Sequence, residues 1–159
     1  MTDVFTKAKR SQVMSRVRGS GNKDTELVLA KLLRRHHITG WRRHQNIFGK
    51  PDFVFPKLKL AVFVDGCFWH ACPRHATNPK SNRDFWQRKL SGNKRRDKLV
   101  SRELRKLGWR VIRIWECTLA KKPMVCLRQI QSSLAARRIL PVTGVRGKAL
   151  TMEKRMGIL

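Results

Sequence analysis

Acidic residues are scarce in this chain: ten Asp and Glu stand against 37 Lys and Arg, a formal net charge of +27 over 159 residues. Such a field attracts polyanions at long range and is screened by salt, so nucleic acid is the expected partner. Charge alone also fits a ribosome-associated or merely very soluble basic protein. An anionic membrane surface fits less well, because no long apolar run and no lipidation motif occur. There is no internal repeat. The opening MTDVFTKAKR is polar and has no signal-peptide pattern, so a cytosolic chain is expected. Cysteine is sparse too. In a reducing compartment, Cys67, Cys72, Cys117 and Cys126 argue for a metal site or free thiols before disulfides.

What is present fits one domain with a real core. Residues 1–140 are expected to form it, with a basic helix or arm within 1–20 and a loosely held basic tail over 141–159. Phe5 to Val17 has weak helical spacing and a basic face, ended by Gly19 to Gly21. Asp24 and Thr25 are candidate caps for a helix over Glu26 to His37. Trp41 to Ile47 reads as a first strand, and Asp52 to Phe55 and Leu60 to Val64 as short buried strands bounded by Pro and Gly. Cys67 to Asn82 is irregular. A helical region over Arg83 to Leu107 is expected to break near Ser91-Gly92, with Leu99, Val100, Leu104 and Leu107 on one side of its second half. Trp109 to Trp115 reads as a strand and Pro123 to Arg138 as a last helix. The class is α/β, a small mixed sheet flanked by helices.

Asp52 opens one apolar run and Asp65 closes the next, so neighbouring strands can bring both carboxylates to one end of a sheet. Acids at the ends of buried strands are costly to desolvate unless a cation compensates them. Paired carboxylates holding Mg²⁺ beside a phosphate are a means of cutting nucleic acid. The plain alternative is two turn acids, one beside Pro51 and one opening an Asp-Gly turn. His70, five residues on, is a candidate general base, a zinc ligand or an exposed ring. Cys67, Cys72, His75 and Cys117 can form a closed Cys₃His zinc site that braces an otherwise coreless loop, leaving Cys126 over. The alternative is ordinary thiols. Phe68-Trp69 and Phe85-Trp86 flank the loop, as base-stacking wedges or as core. By spacing alone, Asp97 is a surface ion-pair acid, and Glu26 is either a helix-start acid or a supporting group of the site.

Taken together, GKPDFVF, VFVDGCFWHACPRH, NRDFWQRKLSGNKRRD and LGWRVIRIWEC resemble, in this order, the Vsr family of very-short-patch mismatch repair endonucleases. The resemblance covers roughly Thr6 to Leu119. It implies a restriction endonuclease-like fold with a zinc-braced loop and a Mg²⁺-dependent, strand-specific nick 5′ of the thymine in a T:G mismatch. Such mismatches arise by deamination of 5-methylcytosine, which implies double-stranded DNA as partner and a functional link to a cytosine-5 DNA methyltransferase. By motif, Asp52 is the metal-binding aspartate and His70 the catalytic histidine. Asp97 is its partner, against the spacing-only reading, and Glu26 is an accessory acid. Val64 stands where the family contacts metal and can serve only through its backbone carbonyl. Asp65 stands where some members carry histidine, which suggests a second carboxylate on Mg²⁺. Phe68, Trp69 and Trp86 are expected to wedge into the duplex, with the basic N-terminal helix clamping the other groove. Lys50 is not placed like the lysine of the usual PD-(D/E)xK nuclease motif. A monomer in the bacterial cytoplasm, at the nucleoid, is expected, since one nick at an asymmetric lesion needs no two-fold symmetry. The rival functions are a restriction-like nuclease on unmismatched DNA and a non-enzymatic zinc-braced nucleic-acid-binding module.

Overall fold

A computed structural model of the chain describes residues 25–75, 79 and 82–138, with Thr6, Lys9 and Gln12. Apart from those three, the expected basic helix, the Gly19 to Gly21 stop, the Asp24 cap and the tail after Pro141 lie outside the described residues. The elements, in order, are α1 (Glu26–Arg35), β1 (Phe53–Phe55), a 3₁₀ turn (Pro56–Leu58), β2 (Leu60–Asp65), α2 (Arg83–Lys106), β3 (Arg110–Trp115), α3 (Glu116–Lys121) and α4 (Pro123–Arg138). The architecture is mixed α/β. No helix among the described residues is long and apolar enough to cross a membrane.

The sheet has the order β1-β2-β3. β1 runs antiparallel to β2, with Phe53 opposite Val62, and β2 runs parallel to β3, with Asp65 level with Trp115. The parallel pair requires a crossover, which α2 supplies. Strand alternation then divides the side chains. Phe53, Phe55, Leu60, Val62, Ile112 and Ile114 join Leu29 and Leu33 of α1 and Leu127 and Ile130 of α4 in the main core. Ala61 and Phe63 face the other way, against Val100 and Leu104 of α2. At the end of β2 that second face also carries Asp65, and on β3, level with Phe63, it carries Arg113, whose guanidinium reaches Asp65.

Four local expectations need correction. Trp41 to Ile47 forms no strand, only an isolated bridge between Arg42 and Val54, because His44 adopts a left-handed φ of 53° that ends the extended run. The helix over Arg83–Lys106 is unbroken at Ser91-Gly92. A mid-helix glycine costs only about 1 kcal/mol against alanine, less than the burial of Leu90, Val100 and Leu104 on the same helix returns. Leu107, expected on the apolar side, is 59% exposed. The inward stripe is instead Leu90, Asn93, Asp97, Val100 and Leu104, at helical spacing of three and four residues. Two polar residues therefore occupy positions facing the sheet. Thr25 caps α1 with its backbone carbonyl, which accepts from Leu29 N–H at 3.1 Å, and not with its side chain.

Gly49 packs against Val100 of α2. Its φ is +77°, and a Cβ there would lie 2.2 Å from Cγ1 of Val100. Gly40 has a similar φ of +81° with nothing within 4 Å. Gly40→Ala is therefore expected to cost about 1–2 kcal/mol, the left-handed penalty alone. Gly49→Ala should cost roughly a further 1–3 kcal/mol for overpacking against a stiff branched side chain. Denaturant unfolding of the two variants, read as a difference, checks this.

Candidate active site and metal cluster

Asp52 directly precedes β1 and Asp65 ends β2, so antiparallel pairing places both at one end of the sheet. The Val64 backbone N–H donates to Asp52 Oδ2 at 2.7 Å. Burial pushes the Asp52 carboxyl up to about 6. The Val64 hydrogen bond and Arg113 oppose that shift, while the charges of Glu26 and Asp65 add to it. Glu26 itself is 5% exposed and paired with Arg43. The structure thus brings Glu26, Asp52 and Asp65 into one electrostatic environment. A desolvated carboxylate among other acids favours a cation, and its hard oxygens suit a hard divalent one.

His70 sits in the loop that leaves β2. Its Nδ1 meets Asp97 Oδ2 at 2.6 Å and lies 3.8 Å from Asp65 Oδ1. Burial works upward on the Asp97 carboxyl, but the bond to His70 and the charge of Arg113 prevail and hold it below the usual range. With Nδ1 committed to a carboxylate, Nε2 is the ring nitrogen left to exchange a proton. The loop has few buried side chains, and polar bonds fix it instead. Asn93 Nδ2 donates to the Trp69 carbonyl at 2.9 Å, and the Cys67 N–H donates to Glu116 Oε2 at 3.1 Å.

Cys67, Cys72, His75 and Cys117 converge, with one ligand atom from each lying within 4.8 Å of all the others. Cys72 Sγ is 3.8 Å from Cys117 Sγ and 3.9 Å from His75 Nδ1. Two thiolates at ~2.3 Å from a tetrahedral ion stand ~3.8 Å apart, so the cage already has the size of a metal site. Burial pushes the Cys67 thiol up to about 12. Burial also acts upward on Cys72, but the Arg74 backbone N–H and the His75 ring outweigh it and bring it to about 6. Cys126 lies outside this group, buried in the main core as expected of the leftover thiol.

Phe68, Trp69 and Trp86 form one cluster. Phe68 stands edge-on to Trp69 and Trp86 at 5.1 and 5.2 Å, and Trp69 lies 6.1 Å from Trp86. Phe85 reaches Trp86 at 5.3 Å and is 54% exposed. The cluster is half-buried, so neither plain core nor free surface describes it.

The family described as DNA mismatch endonuclease Vsr matches residues 2–75. The DNA mismatch endonuclease Vsr of Escherichia coli (strain K12) is 36% identical over 122 residues, covering 75% of this chain and 76% of its own. The chain belongs to the Vsr family. It is an endonuclease. Another relative, the type II nicking enzyme V.NmeAIP of Neisseria meningitidis serogroup A, is 42% identical over 127 residues, 77% of this chain and 87% of its own. Among solved structures, the catalytic domain of the homing endonuclease I-Bth0305I aligns with a TM-score of 0.44 at 26% identity, over 70% of this chain and 94% of that one.

Sequence reasoning passed over two residues of this Vsr-family site. Glu116 holds the start of the loop, and Arg113 binds both Asp65 and Asp97. A charged residue alternating with Ile112 and Ile114 on a strand was the available signal for Arg113.

Folding raises the Asp52 pKa above its ordinary value of 3.8, so the folded protein holds this proton more tightly than the unfolded chain. The resulting destabilisation sets in above the unfolded value and is complete once pH passes about 6. Asp52→Asn keeps an acceptor for Val64 N–H. In Mg²⁺-free buffer it should stabilise the protein by roughly 1–3 kcal/mol at alkaline pH and leave it unchanged in acid. Paired denaturation curves at the two pH extremes check the sign.

Proposed function

We propose that this Vsr-family endonuclease nicks double-stranded DNA on one strand, 5′ of the thymine in a T:G mismatch, in a Mg²⁺-dependent reaction. The observation that carries the reading is the pairing of His70 with Asp97 at 2.6 Å beside the desolvated Asp52, at one end of the sheet. The mixed sheet with helices on both faces supports a restriction endonuclease-like core.

Asp52 and the backbone carbonyl of Val64 would hold the Mg²⁺. When bound, that ion supplies charge neutralisation at the scissile phosphate and stabilisation of the leaving oxygen. His70 Nε2 takes a proton from the attacking water, while Asp97 keeps Nδ1 protonated and the ring in place. Glu26 acts through its charge on Asp52 and not by touching substrate. Phe68, Trp69 and Trp86 insert beside the mismatch, where weak stacking makes the duplex cheaper to open than at a paired site. The exposed basic residues of α2, among them Arg83, Arg88, Lys94 and Lys98, lie along the phosphates.

Cys67, Cys72, His75 and Cys117 would hold a structural Zn²⁺ that keeps the wedge and His70 in register with the sheet. The lesion chemistry links the enzyme to a cytosine-5 DNA methyltransferase, and a monomer in the bacterial cytoplasm suffices for one nick.

A labelled duplex with one T:G mismatch, in several flanking contexts, should be cut only 5′ of the mismatched thymine and only with Mg²⁺. Asp52→Ala should abolish cutting with binding retained, and His70→Ala should slow it by about 10²–10⁴. Equal cutting of a C:G control would sink the mismatch reading, and normal cutting by Asp52→Ala the metal assignment. Purified protein should also carry about one zinc per chain by elemental analysis. Cys72→Ser should lose both the zinc and several degrees of Tm.

A further inference from the structure

Asp97 aligns His70, and a second residue in turn holds Asp97. Arg113 stands on the α2 face of β3, its side chain 23% exposed, and its guanidinium spans two carboxylates. Nε donates to Asp65 Oδ2 at 2.6 Å, Nη2 donates to Asp65 Oδ1 at 2.6 Å, and Nη2 also reaches Asp97 Oδ1 at 3.0 Å. The Phe63 ring lies under the guanidinium, 4.8 Å from its carbon, and fixes its plane. Every oxygen of the two acids is therefore assigned. Asp97 gives Oδ1 to Arg113 and Oδ2 to His70, so its carboxylate cannot turn about the Cβ–Cγ bond without losing one of them.

Asp65 differs sharply from Asp52. Its side chain is 4% exposed, and both of its oxygens accept charge-assisted bonds from one bidentate fork. Its charge is met within the protein. Asp52 has only the Val64 N–H as a hydrogen-bond donor among the described residues.

We propose that Arg113 is a positioning residue, which locks Asp65 and Asp97 into one unit that sets the His70 ring and keeps Asp65 off the catalytic metal. This rests on reading His70 as the proton acceptor. Asp65 then belongs to the histidine side of the site, and Asp52, with Glu26 behind it, is the carboxylate left to the metal. Lysine cannot replace the arginine here, because a point charge does not reproduce a planar fork across two carboxylates.

The test uses the full chain and two readouts: single-turnover nicking at saturating DNA, and Mn²⁺ binding to the DNA-free protein by electron paramagnetic resonance. Arg113→Met is expected to slow nicking by about tenfold to a hundredfold without weakening DNA binding, and Arg113→Lys to recover little of that. Asp65→Asn should leave Mn²⁺ affinity unchanged. Arg113→Met should tighten it, because the Asp65 carboxylate is released beside Asp52. The double variant Arg113→Met/Asp65→Asn removes both members of the buried pair, which avoids an orphaned charge that could prevent folding. It should return Mn²⁺ affinity to the starting value yet still nick slowly.

A loss of Mn²⁺ affinity of about tenfold or more in Asp65→Asn would put Asp65 on the metal and overturn the inference. So would wild-type nicking by the double variant. His70→Ala, measured alongside, separates the two levels. If it nicks normally, the reading of His70 has failed and the inference with it. If it is inactive while Arg113→Met is fully active, the inference alone has failed.

Discussion

A ten-residue loop with almost no buried side chains must be held by polar bonds, and much of the candidate site hangs on the one from Gly66 to His75. It carries His70, two of the clustered aromatics and three of the four cage residues. A core cannot hold it, since Cys72 is its only buried residue. The loop is instead tied at each side: to α3 through Glu116 and Cys117, and to α2 through Asn93 and Asp97. Those anchoring helices are in turn fixed by apolar contacts with the sheet. The hydrophobic core thus sets the site indirectly, by fixing the elements from which the polar ties are made.

The electrostatics are uneven by design of the fold. In a chain with so large an excess of positive charge, four acids, Glu26, Asp52, Asp65 and Asp97, gather at one end of the sheet. Some find internal partners: Glu26 has Arg43, and Asp65 and Asp97 share Arg113. Asp52 does not, and burial leaves its proton bound to about pH 6. That single unmet charge, in a field that draws in phosphate, is where an added cation gains most.

Much of the architecture was legible because it follows from apolar runs and their punctuation. The strand ending at Trp115 and the helix over Pro123–Arg138 appear where the sequence places them. The extended run expected at Trp41 to Ile47 fails on the left-handed backbone at His44, which no residue type there announces. The expected break at Gly92 fails because local propensity is smaller than the burial on either side of it. In the site, the convergence of Asp52 with Asp65 and of the four cage residues was readable from strand ends and spacing. The contact of Asp97 with His70 was readable only through the family motif, since by spacing an acid on a basic helix reads as a surface ion pair. Its alignment with Leu90, Val100 and Leu104 was the clue, as it places the carboxylate on the face turned to the sheet.

The parallel register of β2 and β3 has a further consequence. Asp65 and Trp115 are level, and Cys67 and Cys117 each follow two residues later. The two thiols come together only when strands whose cysteines lie 50 residues apart in the chain are paired in this one alignment. A slip of two residues keeps every apolar side chain on its proper face, so hydrophobicity alone tolerates it. It would nevertheless carry one cysteine about 6.6 Å along the strand axis, beyond the 4.8 Å span of the cage. The cage therefore acts as a proofreader of strand alignment, distinguishing the native pairing from the near-miss that the core would accept.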